Sequence, residues 1–99
     1  MRYHKLKTLA PYWERVQSGE KTFEIRKNDR DFQVGDILEL EYYNPNEPIQ
    51  LVYNYNPPFY NYNPPLIIKV QVKYIINGGK FGLDVDYCVM AIEIYNQNK

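Results

Sequence analysis

Lys21, Glu24 and Arg26 are the residues best placed by type and spacing to do chemistry. They sit in Gly19–Asp31, a thirteen-residue stretch holding four cations (Lys21, Arg26, Lys27, Arg30) and four acids (Glu20, Glu24, Asp29, Asp31). In an extended segment Glu24 and Arg26 project to one side, and Phe23 and Ile25 to the other. A guanidinium offers a planar fork to a phosphate or carboxylate, and an ammonium offers a point charge. A carboxylate between them accepts from a base amino group, or orients its cations through ion pairs. The same pattern also fits a charged edge strand whose surface ion pairs contribute little energy and discourage aggregation. On physics alone the two readings stand level.

Other reactive residue types are scarce. His4 is the only histidine; it either lines the same cleft beside Lys21 or is a half-buried strand residue. Trp13 either stacks on a base at the cleft rim or belongs to the core. Cys88 reads as a buried apolar residue with no neighbouring cation to activate it. No His/Cys/Asp grouping has metal-ligand spacing, so no metal or cofactor is expected. Gly78-Gly79 lacks the strand-to-helix context of a phosphate loop.

These residues need elements to hold them. Residues 3–8 alternate as a first strand. Ala10–Ser18 predicts a short helix, with Pro11 in its first turn, a stripe of Tyr12, Trp13 and Val16, and Gly19 as its stop. Lys21–Lys27 predicts a strand with Phe23 and Ile25 buried. A polar turn at 28–31 and a second at Val34-Gly35-Asp36 lead into a strand over Ile37–Tyr43, with Leu38 and Leu40 facing inward. Leu66–Ile76 predicts a strand that alternates throughout. Tyr87–Tyr95 predicts a last strand, apolar enough to be covered on both faces. The total is five or six strands and one helix with no βαβ alternation. The expected fold is therefore mainly β (α+β), a small barrel plugged by its helix.

Residues 42–66 interrupt this pattern. They hold six of the seven prolines and six of the eleven tyrosines, including the tandem Tyr-Asn-Tyr-Asn-Pro-Pro at 53–58 and 60–65. Pro-Pro pairs exclude a helix or a central strand. A loop or hairpin tip inserted at about 43–66 of a single domain, 1–99, is expected. It is either a tolerated duplication or a stacking or protein-contact surface.

Gly19-x-Lys21-x-x-Glu24-x-Arg26 resembles the G-x-K-x-x-E-x-R motif of ASCH domains, relatives of the PUA RNA-binding fold. His4-Lys5-Leu6-Lys7, Pro11–Ser18, the run Arg26–Asp31, Val34-Gly35-Asp36-Ile37-Leu38 and Tyr87–Ile92 are similar to a small uncharacterised subfamily common in bacteria and phages. The resemblance implies a PUA-like barrel with a cleft between helix and motif strand that takes RNA or a nucleotide-like ligand. The leading expectation is that a cleft at Lys21, Glu24 and Arg26 holds a nucleotide or single-stranded RNA, with Lys27 and Arg30 on phosphates. Some ASCH relatives remove the acetyl group from acetylcytidine, using the matching lysine, a threonine and a distant glutamate. This chain has Glu24 where that threonine would fall, and Glu93 is the sole acid of its late strands, so binding is expected ahead of catalysis.

Composition is compatible with these expectations. Apolar residues make up 44% of the 99, ordinary for a globular domain. Formal net charge is zero, which excludes a uniformly basic nucleic-acid binder, yet residues 1–31 carry +3 and the rest −3. A local basic patch of that kind still attracts phosphate. No apolar run reaches the ~20 residues of a membrane helix. One cysteine forms no internal disulfide, and a cytoplasmic setting is expected. Three function classes compete: a nucleotide- or RNA-binding module; a small amidohydrolase acting on a modified nucleoside such as acetylcytidine, with Lys21 as nucleophile or base and Glu24 as its acid/base partner; and a protein-interaction module using the Tyr/Asn/Pro segment.

Overall fold

The computed structural model describes residues 1–46, 55–56, 61–62 and 66–96. Its elements are β1 (Tyr3–Leu9), α1 (Ala10–Ser18), β2 (Phe23–Lys27), β3 (Ile37–Tyr43), β4 (Tyr55–Asn56), β5 (Asn61–Tyr62), β6 (Ile67–Asn77) and β7 (Tyr87–Ile94). Five strands form one sheet in the order β1-β3-β6-β7-β2. β1 runs parallel to β3, and every other pairing in that sheet is antiparallel. The sheet curls into a half-barrel, so the fold is mainly β with one short helix. β4 and β5, one from each copy of the repeat, pair antiparallel. The rest of the repeat, and its expected role as a loop, lie outside the described residues.

Alternation sets the inner face. Leu6, Leu38, Leu40, Val70, Val72, Cys88, Met90 and Ile92 point inward and form the core. α1 plugs this interior with Trp13 and Val16. The Trp13 indole N–H donates to the Leu40 carbonyl at 2.9 Å, which satisfies its one donor inside the core. Gly19 ends the helix at φ 88°, where its N–H caps Val16 O at 3.1 Å. That left-handed position suits a residue without Cβ.

Four expectations are corrected. Tyr12 is exposed, and Ala10 completes the buried helix stripe instead. Phe23 and Ile25 are exposed at 43% and 50%, whereas Glu24 is 4% exposed. The side of β2 that faces the interior is the charged side, because cations are present there to receive the carboxylate. β6 does not alternate throughout: a register shift between Val72 and Tyr74 turns Ile75 inward and leaves Tyr74 and Ile76 outside. A bulge has this effect because one extra residue reverses the parity of all that follow. β7 is covered on one face only, with Cys88, Met90 and Ile92 buried and Tyr87, Ala91 and Ile94 exposed. No helix of the described residues is long and apolar enough to cross a membrane.

Candidate functional site

β1 and β2 are the two edges of the curled sheet, and no strand ladder joins them. Arginines bridge the gap. Arg26 Nη1 donates to Lys7 O at 3.1 Å, and Nη2 to the Thr8 hydroxyl at 2.9 Å. Arg30 Nη1 donates to Lys5 O at 3.1 Å. Successive outward carbonyls of an edge strand would otherwise meet only water, so these guanidiniums stitch the half-barrel at its open seam. Arg26→Ala is expected to lower stability by about 1–2 kcal/mol through loss of these hydrogen bonds, measurable by urea unfolding.

Beside this seam lies a cavity of about 690 Å³, within the usual range for small-molecule sites. β1 contributes Lys7, Thr8 and Leu9; the α1 segment contributes Tyr12 and Arg15; Glu20, Lys21, Phe23, Glu24, Ile25 and Arg26 complete it. Four cations face two acids, so the lining carries net positive charge while its walls are largely apolar. Lys21 is fixed from several sides. Its N–H donates to Arg15 O at 3.0 Å. Its Nζ donates to Phe23 O at 2.6 Å and to Glu24 Oε1 at 3.1 Å. The same ammonium lies 4.9 Å from the Phe23 ring centroid and 5.9 Å from that of Tyr12, near enough for cation–π attraction.

Glu24 sits at the floor. Lys21 engages Oε1, and Arg26 Nε lies 3.7 Å from the same oxygen. The second oxygen, Oε2, is buried and has no hydrogen-bond partner among the described residues. Buried polar atoms almost always find a partner, so an unpartnered acceptor on a residue of the cavity lining is a chemical signal.

The cavity gathers Lys21, Glu24 and Arg26, three of the residues singled out by sequence. It leaves the others elsewhere. Lys27 is exposed at the end of β2, and Arg30 serves the seam. Trp13 is buried in the core. His4 does not line the cavity: it is buried, its Nε2 lies 2.9 Å from Asp36 Oδ2, and its ring meets Phe32 edge-on at 4.9 Å. Thr8, Leu9, Tyr12 and Arg15 are wall residues that the motif did not point to. Only their places on the first strand and helix, next to the motif in space, bring them in.

Asp36, read from sequence as a turn residue, anchors a second polar cluster. It is 2% exposed and accepts from Arg2 N, Arg2 Nη2, His4 and Gln33 N. Burial pushes its carboxyl up, but the bonds from His4 and the Gln33 and Arg2 backbones, with the Arg2 charge, outweigh that and hold it below 3.8. Burial raises the Cys88 thiol, which fits an inert core residue. Among the described residues, no group of three His, Cys, Asp or Glu side chains is placed to hold a metal ion.

The family model of a domain of unknown function, DUF3850, matches residues 3–92. The chain belongs to the DUF3850 family. Its match spans β1 through most of β7, so the seam, the cavity and, apart from Arg2, the Asp36 cluster fall inside the DUF3850 domain. No curated protein matches the chain.

Proposed function

We propose that this DUF3850 domain is an ASCH/PUA-like module that binds a nucleotide or an unpaired nucleotide of single-stranded RNA in the Lys21–Glu24–Arg26 cavity. The observation that carries the reading is Glu24 Oε2, buried without a partner on the carboxylate whose other oxygen accepts from the Lys21 ammonium. An acceptor next to a donor complements the Watson–Crick edge of a base, where an N–H lies next to a carbonyl or ring nitrogen. That edge is free only in an unpaired base, the usual target of sequence-reading RNA modules. Tyr12 and Phe23 supply aromatic faces at the mouth, and stacking on such faces stabilises bound bases. Lys7 and Arg15 at the rim supply charge for a phosphate.

The hydrolase reading has less support. Lys21 Nζ donates to two protein acceptors, an arrangement suited to an ammonium that orients a ligand rather than an amine free to attack. Fluorescence-anisotropy titration with short labelled single-stranded RNAs tests the proposal. Affinity is expected to fall as salt rises, and Lys21→Ala is expected to weaken it by about ten-fold or more. Unchanged binding of every RNA by Lys21→Ala would sink the idea, and a Lys21-dependent product from acetylcytidine would favour the hydrolase.

A further inference from the structure

The first strand runs straight into the helix: β1 ends at Leu9 and α1 begins at Ala10, with no loop between them. Leu9 and Tyr12 stand out at this junction as a ridge, 44% and 53% exposed. On one side of the ridge lies the Lys21–Glu24–Arg26 cavity. On the other lies a second cavity, of about 520 Å³, which shares Leu9 and Tyr12 with the first. Its further walls include Pro11 and Glu14 of α1, Tyr42 near the end of β3, and Asn44, Pro45 and Asn46 beyond it. β1 and β3 pair in parallel with Thr8 opposite Tyr42 and Leu9 opposite Tyr43, so the two strands end at the same level and the hollow forms there. Tyr42 is held edge-on against Trp13, ring centroids 5.3 Å apart, which fixes one wall.

We infer that the second cavity takes the base of the nucleotide next to the one in the first, so that the domain holds two successive unpaired nucleotides across the Leu9–Tyr12 ridge. This rests on the nucleotide reading of the first cavity. The two linings differ as such a ligand requires. The first is rich in cations, with Lys7 and Arg15 at its rim. Among the described residues, Glu14 is the only charged side chain lining the second. A phosphate would be repelled there. A base carries no charge, and its polar edge suits what the hollow offers: the Glu14 carboxylate accepts from an amino group, and the Asn46 amide both donates and accepts. Aromatic faces stabilise bound bases whatever the sequence, and Tyr12 lines both cavities, so two bases can share its ring. A hollow of this volume lies within the range of small-molecule sites, ample for one base. The phosphate that links the two nucleotides stays with Lys7 and Arg15 on the cationic side.

Calorimetric titration of the full chain with each ribonucleoside monophosphate, then with dinucleotides and trinucleotides built on the tightest of them, tests this. The dinucleotide is expected to bind about ten-fold more tightly than the mononucleotide, as one further stacked base provides. A third nucleotide is expected to add less than about two-fold. A dinucleotide with one base removed and its phosphates intact is expected to fall back to the mononucleotide level, which assigns the gain to the base and not to added charge. The double variant Pro45→Ala, Asn46→Ala is expected to bind the mononucleotide as the parent chain does and the dinucleotide about five-fold more weakly. Both positions are exposed, so circular dichroism should be unchanged. A dinucleotide no tighter than the mononucleotide, an abasic one as tight as the intact one, or a double variant that binds both ligands like the parent overturns this inference while the first cavity keeps its reading. Mononucleotide binding that is absent, or indifferent to Lys21→Ala, overturns both.

Discussion

Asp36→Ala is expected to melt roughly 15 °C below the parent chain, a loss of about 3 kcal/mol. The carboxylate accepts from the Arg2 backbone and guanidinium, His4 and the Gln33 N–H. Alanine would leave those donors facing a hole, and two of them carry or can carry charge. The cluster ties the N-terminal end of β1 to the turn before β3, and Ile37 N adds a bond to Arg2 O at 2.8 Å. Without it the parallel β1–β3 pairing loses its anchor at the start. The effect has a pH signature. The folded-state pKa of Asp36 lies below the ordinary value of 3.8, so its contribution is fully present above that value. It is lost as pH falls through the lower folded-state pKa. The stability gap between wild type and Asp36→Asn, followed by urea unfolding, should therefore be constant near neutrality and shrink in the acid range. A gap that persists unchanged as pH falls well below 3.8 would contradict this assignment.

Glu24→Gln is expected to weaken nucleotide or RNA binding by about 30-fold, or roughly 2 kcal/mol, while leaving stability within about 1 kcal/mol of wild type. The two readouts separate function from structure. A carboxylate buried on β2 purely for stability would lower the melting temperature when neutralised. A carboxylate kept for a ligand carries an unpartnered oxygen at a stability disadvantage, and replacing it is close to neutral. Lys21 and Arg26 retain other acceptors, Phe23 O for the first and Lys7 O and Thr8 for the second. Neither cation is stranded by the change. Calorimetry with the ligand and thermal melts of both proteins check it; a large stability loss with intact binding would reverse the interpretation.

The helix and the inward positions of β1 and β3 were legible because alternation and helical spacing act locally, within a few residues. Gly19, Leu38 and Leu40 needed no knowledge of the rest of the chain. The polarity of β2 was not legible. Phe23 and Ile25 are the more apolar pair and were assigned inward, yet the interior at that edge holds Lys21 and Arg26, and Glu24 follows them. Which side of an edge strand faces the barrel depends on what the opposite edge presents, here Lys7 O and Thr8, eighteen or more residues away. The β6 bulge was likewise invisible, since an unbroken apolar run such as Tyr74-Ile75-Ile76 reads equally well in either parity. His4 illustrates the same limit. Its type suggested the cleft, and its partner Asp36, thirty-two residues on, determined otherwise. The Lys21–Glu24–Arg26 grouping was legible because the three residues lie within six positions of one another, two of them on β2 and one just before it, and converge without help from topology. Its walls, Tyr12 and Thr8, depended on the sheet curling.

The most direct test of the central claim is a ¹H–¹⁵N NMR titration of the labelled chain with each ribonucleoside monophosphate in turn and with a short single-stranded RNA. Shifts are expected to concentrate at Thr8, Tyr12, Lys21, Phe23 and Glu24, to saturate, and to be much smaller in Glu24→Gln at the same concentrations. Shifts confined to other surfaces, or equal shifts in Glu24→Gln, would contradict it.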